Sequence, residues 1–403
     1  MAAVRNTKRR IATALAGAAA VVAVVGAGTA LPAQAAPAAG RVLHAGSAEA
    51  IPGSYLVTLR KDAGFQASTA RGKQLIGEYG GKVRRTYNSA LNGYAATLSS
   101  SQAERLAADP AVATVEQDQK VHATGTQNNA PWGLDRIDQA NLPLNGTYTY
   151  PDSAGGGTTV YVLDTGVRIT HQEISGRASY GYDFVDNDTT AQDGYGHGTH
   201  VATTVAGTTY GVAKKAKIVA VRVLGNDGSG STSGVVAGVD WITANHVASS
   251  VANVSLGGGV STTLDNAVTK SIASGVTYSI AAGNSGAPAS NYSPARVPTA
   301  ITVGATTKTD AKASYSNYGP LVDLFAPGSG ITAGWNTSDT ATYTGDGTSF
   351  AAPHVSGAAA IYLTNHPGAS PAAVASALVN GATSNVLTGI GTGSPNKLLK
   401  VVP

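Results

Sequence analysis

Thr159-Val160-Tyr161-Val162-Leu163-Asp164-Thr165-Gly166 is the stretch on which the fold turns. Uncharged residues run without apolar–polar alternation into a carboxylate and a glycine turn. A strand apolar on both faces must be covered on both faces, the condition of a parallel sheet enclosed by helices. Similar runs recur at residues 218–223, 251–256, 276–281, 300–303 and 322–325, with helical stretches at 233–247, 262–273, 349–365 and 371–379. This alternation predicts an α/β fold, a parallel central sheet with helices on both faces. In such sheets functional residues collect at the carboxyl ends of strands, where Asp164 stands.

Upstream the pattern changes. Residues 54–59 and 93–98 look like strands, Ser99-Ser100-Ser101 opens a short helix over 102–108 that stops before Pro110, and 112–115 gives a last strand. This is a small α+β unit. Residues 122–131 hold few large apolar side chains and read as a linker. At the start, Arg5, Lys8, Arg9 and Arg10 precede an Ala/Val-rich run from Ile11 to Leu31, and Ala33-Gln34-Ala35 offers a small-x-small cleavage site. That is the pattern of a secretory signal peptide. The run is long enough for a membrane anchor, but alanine is weakly hydrophobic and the cleavage signal is well placed. The expected division is 1–36 signal peptide, 37–122 accessory unit and 123–403 main domain.

The net charge of +4 is unevenly spread. Residues 1–36 carry four basic and no acidic side chains, residues 37–122 ten basic and seven acidic, and the remainder 13 basic and 16 acidic. The main domain is therefore slightly acidic, without the basic footprint that nucleic acid requires. The absence of cysteine excludes disulfides, thiolate metal sites and a thiol nucleophile.

Three segments carry chemistry. Asp164 ends a buried strand. His197 lies in Gly196-His197-Gly198-Thr199-His200, and Ser349 in Gly347-Thr348-Ser349-Phe350-Ala351-Ala352-Pro353-His354, each at the start of a probable helix. A serine hydroxyl is a poor nucleophile; an imidazole must take its proton, and a carboxylate must orient that imidazole and stabilise its cation. A serine at a helix N-terminus also faces free N–H groups, which favour a developing oxyanion. Asn284, in Ala281-Ala282-Gly283-Asn284-Ser285-Gly286 after another buried strand, could supply a further donor.

The order Asp, His, Ser and these four segments resemble the signatures of subtilisin-like serine proteases. Residues 131–400 are most similar to the proteinase K branch, particularly its aqualysin-like enzymes, as in Trp132-Gly133-Leu134-Asp135-Arg136-Ile137-Asp138 and Asn291-Tyr292-Ser293-Pro294-Ala295. Residues 53–122 resemble the family's inhibitory propeptide, a ferredoxin-like α+β unit. The resemblance implies a secreted, self-processed endopeptidase of broad specificity with an apolar or aromatic preference before the cut. Asp164, His197 and Ser349 would be the catalytic triad and Asn284 the oxyanion donor. It further implies an extended substrate between Gly228-Ser229-Gly230 and Ser255-Leu256-Gly257, with a pocket near Ala281, Gly283 and Tyr292. Structural calcium is implied at Asp323 with the carbonyls of Pro298 and Ala300. A second calcium is implied at Asp135, Asp138 and Gln139, taken as one helical face, with Asn145 and Thr147. The expected partners are protein and peptide substrates and the chain's own propeptide, as inhibitor and folding aid. The expected protein is an extracellular monomer with no nucleic-acid partner, stable membrane association or organic cofactor.

Duller readings exist for each residue. His171, His200 and His354 suit structural hydrogen-bonding roles, Asp135 and Asp138 could be solvated charges, and Ser349 alone could simply cap a helix. An ester or lipid hydrolase would show Gly-x-Ser-x-Gly, which is missing around Ser349. A catalytically inert binding protein is disfavoured because all four catalytic positions are intact. The family pattern is broken at Phe350, where methionine is usual, at Ala352, where threonine is common, and at Thr203, where glycine is frequent.

Overall fold

In the computed structural model, which describes residues 40–47, 49–121 and 124–401, the chain divides at Gln119/Lys120 into two compact units. The expected signal peptide at 1–36, the 36/37 boundary and residues 122–123 lie outside the described residues.

The first unit runs β1 (Val42–Leu43), β2 (Ala50–Leu59), α1 (Ala70–Glu78), β3 (Lys82–Tyr87), β4 (Gly93–Thr97), α2 (Ser100–Ala107) and β5 (Val112–Gln119). Its strands form one five-stranded sheet in the order β1-β5-β2-β4-β3. Helix α2 begins where the serine run predicts: Ser99 accepts from the Gln102 N–H while the Gln102 side chain accepts from the Ser99 N–H. Tyr55, Val57, Leu75, Ile76, Leu106 and Val115 fill the unit's own core.

The second unit opens with β6 (Thr124–Asn128), α3 (Trp132–Ile137) and β7 (Thr147–Pro151). The expected linker at 122–131 thus contains a strand, paired antiparallel with β7; its polar composition suits a two-stranded ribbon rather than a core. There follow β8 (Thr159–Asp164), β9 (Ala178–Asp183), α4 (His197–Ala206), β10 (Lys217–Arg222), α5 (Thr232–Asn245), β11 (Ser250–Val254), α6 (Thr262–Ala273) and β12 (Thr277–Ala281). The chain ends with β13 (Ile301–Thr306), β14 (Leu324–Pro327), β15 (Ile331–Gly334), β16 (Thr342–Gly345), α7 (Thr348–Asn365), α8 (Pro371–Gly381), β17 (Thr383–Ser384) and β18 (Lys397–Leu398).

The main sheet has nine strands in the order β17-β18-β14-β13-β12-β11-β8-β10-β9, parallel except for the β17/β18 pair. Consecutive residues of β8 enter different cores, as its apolar run requires. Val160 and Val162 pack with Val201 and Val205 of α4 and Val355 of α7, whereas Tyr161 and Leu163 pack with Val239 and Ile242 of α5. Strand order reverses around β8, which lies between β10 and β11. A reversal of this kind opens a crevice at the strands' carboxyl ends.

Helix α3, near the start of this unit, is tied to later parts of it. Arg136, fully buried, forms a two-pronged ion pair with Asp310 at 2.7 and 2.9 Å, and the Val401 N–H donates to the Ile137 carbonyl at 2.7 Å.

Candidate active site

Asp164 closes β8 with no solvent exposure. Its Oδ1 accepts from the Thr165 N–H at 2.8 Å and lies 2.7 Å from His197 Nδ1. A carboxylate on Nδ1 fixes the proton there and leaves Nε2 as the free base. His197 is the first residue of α4, behind Gly196 at φ 121°. Both flanking glycines are required: a Cβ on Gly196 would meet the Trp335 ring at 2.2 Å, and one on Gly198 the Gly166 carbonyl oxygen at 2.0 Å. Burial pushes the imidazole's pKa down, but the charge and hydrogen bond of Asp164 and the charge of Asp193 outweigh it, leaving the pKa above the ordinary histidine value.

Asp193 was not evident from the sequence as a site residue. Its Oδ1 accepts from Thr165 Oγ1 and the Tyr195 and Gly196 N–H groups, and its Oδ2 from the Thr199 N–H and Oγ1. Thr165 Oγ1 in turn accepts from the Gly198 N–H at 2.9 Å. The turns carrying Asp164 and His197 are thereby locked to one another.

Ser349 is the second residue of α7, after Gly347. Its hydroxyl donates to the Ser255 carbonyl at 3.1 Å, and Ser255 Oγ donates back to the Ser349 carbonyl at 2.8 Å. The neighbouring Phe350 ring lies with its centroid 5.4 Å from that of His197. Asn284 Oδ1 accepts from the Thr348 N–H and Oγ1, both at 2.8 Å, so its amide nitrogen is turned away from Thr348. A Cβ placed on Gly347 would lie 3.5 Å from that nitrogen and 3.6 Å from the Ser349 backbone nitrogen. Two nitrogens able to donate therefore lie close to one point beside the serine, as a site for an oxyanion requires. Asn317, also missed in the sequence, braces this loop: its amide donates to the Ala282 carbonyl and accepts from the Ser285 and Ala287 N–H groups.

The expected substrate residues come together. Gly228, Ser229, Gly230, Ser255, Leu256 and Gly257 line one groove of about 470 Å³ with His197. Ala281, Gly283 and Tyr292 line an adjoining pocket of about 180 Å³ with Leu256, Asn284 and Ser349. His200 stays out of the chemistry: its Nε2–H reaches the Ile331 carbonyl at 3.0 Å, and burial lowers its pKa to about 3. His354 donates from Nδ1 to the Phe350 carbonyl, with its pKa lowered by burial to about 4, and His171 sits 2.9 Å from the Ala341 carbonyl.

The expected cation ligands need one correction. Helix α3 ends at Ile137 with Asp138 as its C-cap, so Asp135, Asp138 and Gln139 do not share a helical face. The Arg136 guanidinium takes the Gln139 and Ala140 carbonyls, and Asp138 Oδ2 accepts from the Thr149 N–H; both pull the chain out of the helix. Asp135 accepts from the Asn145 and Gly146 N–H groups, while Asn145 Oδ1 accepts from Thr147. Asp138 Oδ1 and Gln139 Oε1 are buried without a hydrogen-bond partner, the kind of oxygen a hard cation satisfies. At the other place, Asp323 Oδ2 accepts one bond, from the Thr302 N–H at 2.8 Å, and burial lifts its carboxyl pKa to about 6. Among the described residues no three His, Asp or Glu side chains cluster as a metal site, so a cation would rest largely on carbonyl and amide oxygens.

A carboxylate-bound histidine, a serine at a helix start and two converging donors, all on the carboxyl edge of a parallel sheet, define the class: an α/β serine hydrolase. Comparison with known proteins makes this specific. Residues 155–396 match the subtilase family and residues 54–124 the peptidase inhibitor I9 family. An extracellular serine proteinase of Thermus sp. (strain Rt41A) is 49% identical over 369 residues, covering 87% of this chain and 90% of that one. Alkaline serine exoprotease A of Vibrio alginolyticus is 48% identical over 87% of this chain and 67% of its own. The solved structure of a cold-adapted subtilisin-like serine proteinase has 53% identity and a TM-score of 0.67, covering 68% of this chain and all of that one. The chain belongs to the subtilase family of serine proteases, with an I9-type propeptide inhibitor before a subtilisin-like domain.

Proposed function

We propose that the protein is a secreted, self-processing serine endopeptidase of broad specificity in which Asp164, His197 and Ser349 form the catalytic triad. The observation that carries this reading is the placement of the Asn284 amide nitrogen and the Ser349 backbone nitrogen near one point beside the serine, in a pocket adjoining the groove lined by His197, which pairs with Asp164. For the reaction the Ser349 hydroxyl would leave the Ser255 carbonyl, by rotation about its Cα–Cβ bond, for His197 Nε2. As Oγ attacks the scissile carbonyl, Nε2 takes the proton, Asp164 stabilises the imidazolium, and the two donors hold the oxyanion. Collapse breaks the C–N bond, and Nε2–H protonates the leaving amine. Water then attacks the acyl carbon as Nε2 takes its proton; the carbon–Oγ bond breaks, Nε2–H returns the proton to Ser349 Oγ, and the acid leaves.

An extended substrate laid between 228–230 and 255–257 would pair through its backbone, which is largely blind to sequence. Selectivity would come from the pocket of Ala281, Gly283 and Tyr292, suited to an apolar or aromatic residue before the cut. Structural calcium would be held by Asp138 and Gln139 with Asp135, Asn145 and Thr147 nearby, and by Asp323 with the carbonyls of Pro298 and Ala300. It would stabilise the fold by neutralising buried carboxylates. Secretion is supported by the basic-then-apolar start of the chain and by the extracellular relative. The division into 1–36, 37–122 and 123–403 follows from the same reading, with a monomeric product free of stable membrane contact.

The test is to express residues 37–403 beside Ser349→Ala and follow intact mass and casein digestion with calcium present. The wild type is expected to shed residues 37–122 and digest casein, while Ser349→Ala keeps its full length and is inert. If both fold, stay full length and are inert, the catalytic reading fails.

A further inference from the structure

Histidine 197 is poorly braced by its own chain. Its neighbours in sequence are both glycine, and its one side-chain hydrogen bond, to Asp164, acts at Nδ1. That bond restrains the ring from one edge only, and neither glycine adds a side chain beside it. The aromatic ring nearest it on another element is that of Phe350. Its centroid lies 5.4 Å from that of His197, inclined at 39°, and 4.1 Å from that of His200, inclined at 46°. Phe350 is itself fixed: it is buried, the His354 Nδ1–H holds its carbonyl at 2.8 Å, and a Cβ on Gly345 would meet its ring at 2.7 Å.

We propose that Phe350 is a positioning residue for His197, setting the plane of the catalytic imidazole and presenting a π surface to the cation that forms when Ser349 gives up its proton. The proposal rests on the triad reading above. A cation within about 6 Å of an aromatic ring is stabilised by the ring's quadrupole. The surroundings leave that effect visible. The charged groups acting on His197 are Asp164 from the end of β8 and Asp193 from the loop before α4, both of which favour the cation. On its own helix His200 stays neutral, and so does His354 from α7. Neither imidazole places a competing positive charge near it above about pH 5.

The experiment compares mature wild type with Phe350→Leu and Phe350→Tyr on a chromogenic peptide anilide, each normalised by titrating active serines with a sulfonyl fluoride. Phe350→Leu is expected to lower kcat about 2- to 30-fold with little change in KM. It should also move the acid limb of kcat/KM down by about half a pH unit, because the imidazolium has lost its π partner. Phe350→Tyr, which keeps the ring, should restore both. Where the leucine variant does not mature, Phe350→Met replaces it, since Leu and Met exchange at nearly constant volume. A fall in kcat with an unmoved acid limb, or a change confined to KM, overturns the proposal. Retained activity in His197→Ala removes the triad reading itself, and that control separates the two failures.

Discussion

Asp323 gives the sharpest quantitative test of the calcium reading. Burial lifts its carboxyl pKa from 3.8 to about 6. The folded state therefore keeps this proton at pH values where the unfolded chain has already lost it. In that window folding takes up a proton, so stability falls as pH rises from about 4 to about 6 and is then flat. At about 1.4 kcal/mol per pKa unit, the loss is about 3 kcal/mol in the absence of a cation. For a domain of this size that is about 6–10 °C in unfolding temperature. The assay is calorimetry on the mature enzyme with Ser349 blocked by a sulfonyl fluoride, with calcium stripped or restored, between pH 4 and 7.5. Asp138 is also shifted upward by burial and contributes in the same sense, so the quantity to read is wild type minus Asp323→Asn. Without calcium, Asp323→Asn should lie above wild type at pH 7 and meet it near pH 4. With calcium, wild type should regain the difference and the variant little. Equal pH slopes in the stripped wild type and variant would refute the reasoning.

Asn284→Leu should lower kcat about 10²- to 10³-fold with KM nearly unchanged, because it removes one of two donors to the oxyanion; steady-state kinetics on a peptide anilide checks this. Asp193→Asn should lower kcat/KM and shift its acid limb downward, since one of the two charges that raise the His197 pKa is lost. A pH–rate profile reads both effects. Peroxide should leave activity intact, because the only methionine is Met1 and none adjoins Ser349; activity lost together with a mass increase near Ser349 would contradict this.

The parallel sheet was legible because its strands are buried on both faces. The runs read at 159–163, 218–223, 251–256 and 276–281 agree with β8, β10, β11 and β12 to within two residues at either end. Elements at the rims were not legible. β9 reads Ala-Ser-Tyr-Gly-Tyr-Asp and pairs through one edge only, and β3 carries Lys82, Arg84 and Arg85; neither buries enough apolar surface to leave a pattern. Around the candidate site the sequence pointed to Asp164, His197, Ser349 and Asn284 but not to the residues that hydrogen-bond around them. Asp193 looks like any loop aspartate until its acceptor oxygens are seen facing Thr165, Tyr195, Gly196 and Thr199. Asn317 acts across a gap of more than thirty positions, on the carbonyl of Ala282. Sequence spacing implied a longer α3 than forms, because the Arg136 guanidinium that takes the carbonyls of Gln139 and Ala140 is itself held by Asp310, far off in sequence.

An endopeptidase works in a solution of its own copies, and every frayed stretch of backbone is a potential meal for a neighbour. Cleavage requires a segment to leave the fold and lie extended in another molecule's groove, so susceptibility follows local opening. Here the Val401–Ile137 hydrogen bond fastens the first helix of the second unit to its last described residue, and the buried Arg136–Asp310 pair fastens the same helix to the segment between β13 and β14. Val401 cannot peel away without breaking its bond to that helix. That closure protects a chain with no disulfides against self-digestion where it would otherwise begin.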